Sequence, residues 1–228
     1  MHIIVSVSEL NNVNYNCYNV FLFTLQQKLR KMKNYNIERI LKPAFKMFLT
    51  YNYESVSTFR LEEATGLTRG AIYYKYRSKE EIFKAVIDKY ILEAQAQASI
   101  IKADSLLDFI EKFIESMKNR MNEIHSLDIK NVHKSYFSLI YQATQYYPGF
   151  DRKIANQFKN NLKTWEKVLQ SAKENGEIKQ SCDIKELAQR FRYTYSGLSF
   201  ERSILSGVDV EELRALYYSY YNEIKNEK

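Results

Sequence analysis

From Ile37 onward, apolar side chains recur at the i, i+3, i+4, i+7 spacing that gathers them on one face of an α-helix. Ile40, Leu41, Ala44, Phe45, Phe48 and Leu49 make the first such face. Pro43 falls inside it, where its missing N–H and its ring predict a kink or a start delayed by about one turn. A second helix is predicted from Ser57 or Thr58, either of which can cap it, to Ala64, with Gly66 supplying the left-handed conformation that stops it. Leu67 fills the turn. Thr68 can cap a third, short helix from Arg69 to Tyr74, with Leu61, Leu67 and Ile72 packed behind it. Ser78 and Glu81 have capping-box spacing. The long helix they open carries Ile82, Phe83, Val86, Ile87, Tyr90 and Ile91 on one side.

The same periodicity continues beyond residue 100. Phe109, Phe113, Met117 and Met121 recur every four residues, and His133, Phe137 and Tyr141 repeat the pattern on the next helix. Tyr147, Pro148 and Gly149 break it. One helix is then predicted from Phe150 to Glu174, stopped by Asn175 and Gly176, and two more from about Asp183 to Ser206 and Asp209 to Asn226. Strand signals are almost absent. With two prolines and six glycines in 228 residues, the prediction is an all-α chain of one or two compact domains.

Several classes of function find no support. The longest apolar runs, such as Val20 to Phe23, fall far short of the roughly 18 to 20 residues that span a bilayer. The N-terminus lacks the basic region and cleavage site of a secretory signal, so the expected location is the cytoplasm. Cys17 and Cys182 lie far apart and read as reduced thiols rather than a disulfide framework. There is no H-E-x-x-H, no G-x-S-x-G and no phosphate-cradling glycine loop, so an enzyme is not expected. His125 and His133, eight positions apart, lack metal-ligand spacing; no metal and no cofactor is expected. Residues 11–19 are low in complexity and rich in asparagine. Residues 1–32 therefore read as an extension that is peripheral or not native, Met32 being a candidate start. The alternative is a basic arm, Lys28, Arg30, Lys31 and Lys33, that reaches DNA.

A net charge of +7 favours polyanionic partners only weakly on a chain this long. Its distribution says more. From Thr68 to Lys79 the charged residues are Arg69, Lys75, Arg77 and Lys79, with no acid among them, interleaved with Tyr73, Tyr74 and Tyr76. A phosphate-tracking surface needs such a bias. Any one of them alone reads better as a rim aromatic or a solvated charge. Joined to a glycine-stopped helix pair, they read as a helix-turn-helix whose short third helix enters the major groove.

Here the chain resembles the tetracycline-repressor (TetR) family of transcriptional regulators. Gly66, Leu67, Thr68, Gly70, Ile72, Tyr73, Lys75, Tyr76, Ser78, Lys79 and Glu80 meet its pattern G-[VL]-[ST]-x-G-x-[IL]-Y-x-[HKY]-[FY]-x-[SN]-K-E. Glu62 departs from it, standing where the family usually has alanine. The resemblance implies a helix-turn-helix DNA-binding domain over residues 33–80 and a helical effector-binding and dimerisation domain over 81–228. Thr68, Arg69, Gly70, Tyr73, Tyr74 and Lys75 would then face double-stranded DNA, with Ser57 or Thr58 and Lys79 touching phosphates. It further implies that the last two helices form a four-helix bundle with a second copy, through Leu187, Phe191, Tyr195, Leu198, Leu213, Leu216, Tyr217 and Tyr220. The alternative is a hairpin packed on the chain's own core.

Two readings are open for the C-terminal stripes. One is a packed core. The other is a cavity for an apolar or aromatic small molecule, lined by Phe113, Met117, Met121, His133, Phe137, Tyr141 and Trp165, with His125 and Tyr136 as further polar handles. The second predicts a ligand-responsive repressor in which an effector moves the helix begun at Ser78 and lowers operator affinity. The first predicts a constitutive helix-turn-helix protein.

Overall fold

In the computed structural model, which describes residues 37–96, 100–205 and 207–227, residues 37–50 form the first helix, α1. The expected N-terminal extension and its basic arm lie outside the described residues. Helix α1 runs through Pro43 without interruption, so the expected delay of its start is corrected. The missing N–H removes one hydrogen bond, and the buried side chains of Ala44, Phe45, Phe48 and Leu49 hold the turns beyond it. The fold divides between Lys42 and Pro43. Of the first unit, only the helical residues 37–42 are described.

The helix-turn-helix forms by local chemistry. The Ser57 hydroxyl accepts from the Arg60 N–H and opens α2, Thr58–Thr65. Gly66, at φ 65°, closes it with its own N–H on the Glu62 carbonyl. Thr68 opens α3, Arg69–Lys75, by accepting from the Ala71 N–H. Each such cap contributes about 1 kcal/mol. Leu61 and Ile72 are fully buried behind the pair and Leu67 is half-buried in the turn.

Helix α4, Lys79–Ile87, begins at Ser78, whose hydroxyl accepts from the Glu81 N–H. The Glu81 carboxylate reaches back to the Arg77 N–H at 2.8 Å, one residue earlier than in the usual capping box. Its apolar face, Ile82, Phe83, Val86 and Ile87, is fully buried. The regular α-helix expected through Ile91 then gives way. Asp88–Leu92 is a π-helical turn, continued by a short α-helix, α5, Glu93–Ala96, and nothing in the apolar periodicity signals the change.

The remaining helices are α6, Leu106–His125, α7, Val132–Tyr146, α8, Phe150–Glu174, α9, Ile184–Ile204, and α10, Val210–Ile224. Among the described residues there is no strand, only an isolated antiparallel bridge between Ile178 and Lys225. The C-terminal core is aromatic. Trp165 of α8 stacks on Phe191 of α9 with centroids 4.8 Å apart, and Phe109 and Tyr217 meet it edge-on. The Tyr217 hydroxyl donates to the Phe191 carbonyl at 2.8 Å, so α10 is bound to α9 through a satisfied buried phenol.

Much of the face named for a second copy is turned into the subunit's own core. Leu187, Phe191, Leu213 and Tyr217 are buried in the subunit's own core, while Tyr195, Leu198 and Tyr220 pack partly buried against it and Leu216 is half-buried. Helical spacing marks a buried face without saying what buries it. The side of α9 that faces away from the core carries Tyr193, Gly197, Phe200 and Ile204, with Tyr193, Phe200 and Ile204 about half exposed at 54, 49 and 61%.

Candidate DNA interface and internal cavity

On α3 only Ile72 is buried. Arg69, Gly70, Ala71, Tyr74 and Lys75 are exposed, and Tyr74 stands 95% clear of the protein. Tyr73 is half-buried and fixed: its phenol hydrogen-bonds the Thr58 hydroxyl at 2.9 Å, and the Arg69 guanidinium lies 5.8 Å from its ring. Helix α3 thus presents a cationic, aromatic face that nothing else in the described protein covers. The side chains expected at phosphates have structural partners. Ser57 caps α2, Thr58 holds Tyr73, and the Lys79 ammonium donates to the Tyr53 carbonyl at 2.9 Å while lying over the Tyr53 ring.

The loop held by Lys79 is also seated on α7. The Tyr53 N–H donates to the Gln142 side-chain oxygen at 2.6 Å, the Tyr53 and Tyr146 rings stack at 4.4 Å, and the Tyr146 phenol donates to Glu54. A second junction lies just beyond α4. Asp88, at the start of the π turn, accepts from the Tyr147 phenol at 2.8 Å and from Lys153 at 2.9 Å. Burial pushes the Tyr147 phenol up, and Asp88 adds to this while Lys153 opposes it. The first junction ties the loop before α2 to the end of α7, and the second ties the π turn after α4 to the end of α7 and the start of α8.

Those helices enclose a cavity of about 390 Å³ with α6 and α9. All seven side chains named from the sequence, Phe113, Met117, Met121, His133, Phe137, Tyr141 and Trp165, line it. The apolar stripes therefore converge on a space rather than closing completely on one another. Tyr136 also lines it, whereas His125 sits behind His133 with their Nε2 atoms 2.7 Å apart. The turn between α6 and α7, with Asp128 and Asn131 both at positive φ, brings these imidazoles together despite their separation in sequence. Burial, then the neighbouring His125, holds His133 below the ordinary histidine range. Among the described residues no three His, Cys, Asp or Glu side chains assemble as a metal site.

Both lining arginines, Arg120 and Arg192, escaped the sequence reading, as did polar residues such as Asn161, Ser196 and Ser199. The signal was present: Arg120 falls three residues after Met117 and seven after Phe113, on the same apolar stripe. Arg120 is largely buried; its guanidinium donates to the Tyr136 phenol at 3.4 Å, to Glu123 at 3.0 Å and, over a short contact, to the Tyr90 carbonyl in the π turn. Burial opposes its charge, but Tyr136 and Glu123 together hold it above the usual guanidinium value.

The sequence profile of the bacterial regulatory proteins of the tetR family matches residues 40–86 of this chain. The HTH-type transcriptional repressor ComR of Escherichia coli (strain K12) is 28% identical over 186 residues, covering 79% of this chain and 85% of ComR. In fold, the chain resembles a putative transcriptional regulator from Saccharomonospora viridis solved in complex with choline, with a TM-score of 0.62 at 16% identity over 84% of this chain and 98% of that one. It also resembles SmeT in its complex with triclosan, with a TM-score of 0.60 at 16% identity over 84% of this chain and 92% of that one.

Proposed function

Because the chain belongs to the tetR family of bacterial regulatory proteins and is a DNA-binding transcriptional regulator, we propose that it is a ligand-responsive repressor that binds a palindromic operator as a homodimer. The observation that carries the DNA-reading part is the bare face of α3, held by Ile72 behind and capped by Thr68 in front. Arg69, Tyr74 and Lys75 reach base edges and phosphates, Gly70 lets the backbone approach, and Thr68 and Tyr73 set the helix on the duplex. Ser57, Thr58 and Lys79 contact phosphates from the rim and give up part of their present hydrogen bonding to do so. The DNA-reading part spans about residues 33–80 and the regulatory part 81–228.

The exposed stripe of α9 supports dimerisation. Its residues recur at helical spacing, and the glycine in their midst permits close approach of a second helix. Two α3 helices held about 34 to 36 Å apart meet successive major grooves. The cavity supports the switch. The Saccharomonospora viridis and SmeT structures hold choline and triclosan, and a cavity of about 390 Å³ lies within the range of small-molecule sites. An effector that favours one arrangement of α7 and α8 reaches α3 through the Tyr53 loop and the Asp88 junction, and its differential affinity for the two states sets the response. The protein acts in the cytoplasm and catalyses no reaction in this reading. A constitutive DNA binder calls for a solid C-terminal core, which the cavity argues against.

The test is selection of bound fragments from the source genome, followed by salt titration of the complexes. With about eight phosphate contacts per dimer, affinity is expected to fall roughly 10³- to 10⁵-fold between 50 and 200 mM salt. A salt-insensitive complex, or no selected fragment, overturns the proposal.

A further inference from the structure

The cavity is unequal in charge. Among the described residues that line it are two arginines and one histidine but no aspartate or glutamate. Arg120 already has acceptors in Glu123, Tyr136 and the Tyr90 carbonyl. Arg192 does not. Its guanidinium lies over the Phe158 ring at 4.9 Å and the Tyr193 ring at 5.0 Å, and no carboxylate among the described residues pairs with it. A guanidinium always carries its charge, so its forked donors remain available to a planar acceptor.

The positions beside Arg192 point the same way. Tyr195, Ser196 and Ser199 stand at i+3, i+4 and i+7 from it, so α9 turns one polar, cationic edge to the cavity, and all four residues line it. The Ser199 Oγ is buried, with the Tyr195 phenol as its neighbour. A buried hydroxyl that turns its proton to an acceptor arriving in the cavity gains a charge-assisted hydrogen bond. The rest of the lining is mostly apolar and aromatic, with Phe113, Phe137 and Trp165 in it, and Arg120 and His133 are its other cationic or titratable groups.

Resting on the reading of this cavity as the effector site, we propose that the effector is an amphipathic organic anion, an apolar body bearing one carboxylate, with the carboxylate held by Arg192 and the Ser199 hydroxyl. A quaternary ammonium ion finds aromatic rings here but no counter-charge on the lining, and two guanidinium groups repel it. A neutral apolar molecule fills the volume and leaves the Arg192 guanidinium without an acceptor.

Trp165, the only tryptophan of the chain, lines the cavity and reports on its occupancy. Its fluorescence is to be titrated in the full-length protein with decanoate, decanol and decyltrimethylammonium, which share one apolar chain and differ in head group. Decanoate is expected to bind tighter than either of the others by about tenfold or more. In Arg192→Gln, decanoate is expected to fall to the affinity of decanol, with decanol unchanged as the control for an intact cavity. Preference for the ammonium compound, equal binding of all three, binding of none, or an unchanged preference in Arg192→Gln overturns the proposal. A parallel titration of the protein on its selected DNA fragment separates the two readings. Release by all three head groups alike keeps the ligand-responsive repressor and sinks the anion site. Arg192-dependent decanoate binding without any change in DNA affinity keeps the anion site and sinks the repressor's response.

Discussion

The Arg120 guanidinium donates to the backbone carbonyl of Tyr90, joining a charged wall of the cavity to the π-helical turn in the helix that leaves the DNA-reading unit. A π turn widens the backbone and shifts its carbonyls from regular α-helical partners, and such turns recur at functional sites. Burial pushes the Tyr90 phenol up to about 12, and its ring stacks on Phe45 of α1 at 4.3 Å. One side chain thus touches the cavity, the turn and, through Tyr90, the helix beneath the helix-turn-helix.

Replacing Arg120 by methionine keeps apolar volume and removes the link. Hydrogen bonds to charged groups contribute about 1.5 to 3 kcal/mol, so a drop of that order is expected in denaturant unfolding. Operator affinity measured with and without decanoate is the sharper reading. A coupling of about 5- to 150-fold in the parent is expected to shrink towards none in Arg120→Met. Full coupling in the variant sinks this role.

Tyr74 and Lys75 carry no packing. Tyr74→Ala is therefore expected to change stability by less than about 0.5 kcal/mol while weakening operator binding. Lys75→Gln is expected to weaken all sequences alike and to lower the salt slope by about 1 for each phosphate that Lys75 neutralises. Anisotropy titrations at several salt concentrations, beside thermal melts, decide both points.

Gly207 lies at φ 92°, and a Cβ placed on it falls 2.3 Å from the His133 Nε2. Gly207→Ala is expected to cost about 1 to 3 kcal/mol from backbone strain, plus the displacement of His133. In a His133→Ala background the second part vanishes, so the two substitutions are expected to be non-additive in a double-mutant cycle. Additive costs would show that the imidazole moves aside freely.

Since His133 titrates below the ordinary value, the folded protein binds fewer protons there than the unfolded chain does. Stability from this group is complete above about pH 6.5 and is lost as the pH falls through the lower, folded value. Melting temperature is expected to decline on acidification below about pH 6.5 and to decline less in His133→Gln. Parallel curves for parent and variant assign the decline to other groups.

Ile204→Glu places a charge on the exposed stripe of α9 without entering the core. Analytical ultracentrifugation is expected to show a dimer for the parent and a folded monomer for the variant, with weaker operator binding. Phe191→Ala, buried in the subunit's own core, is expected instead to cost about 3 to 5 kcal/mol in stability. A variant that stays dimeric moves the interface elsewhere.

The sequence by itself determined the helices, because their signals are local. Ser57, Gly66, Thr68 and Ser78 cap or stop through bonds to residues a few positions away, and the period of the apolar positions states which face is buried. For the two C-terminal stripes it left a packed core and a cavity both open, and the packing opens a cavity lined by six of their residues and by Trp165. Only the tertiary structure decided what each face is buried against. Leu187 and Phe191 have the same periodicity whether they pack within one subunit or between two, and here they pack within. The contact of His125 with His133, the bond from Arg120 to the Tyr90 carbonyl and the open guanidinium of Arg192 depend on chain segments brought together by packing. Periodicity records the free energy of burial along one helix; the identity of the neighbour is set by how all the helices share a single interior.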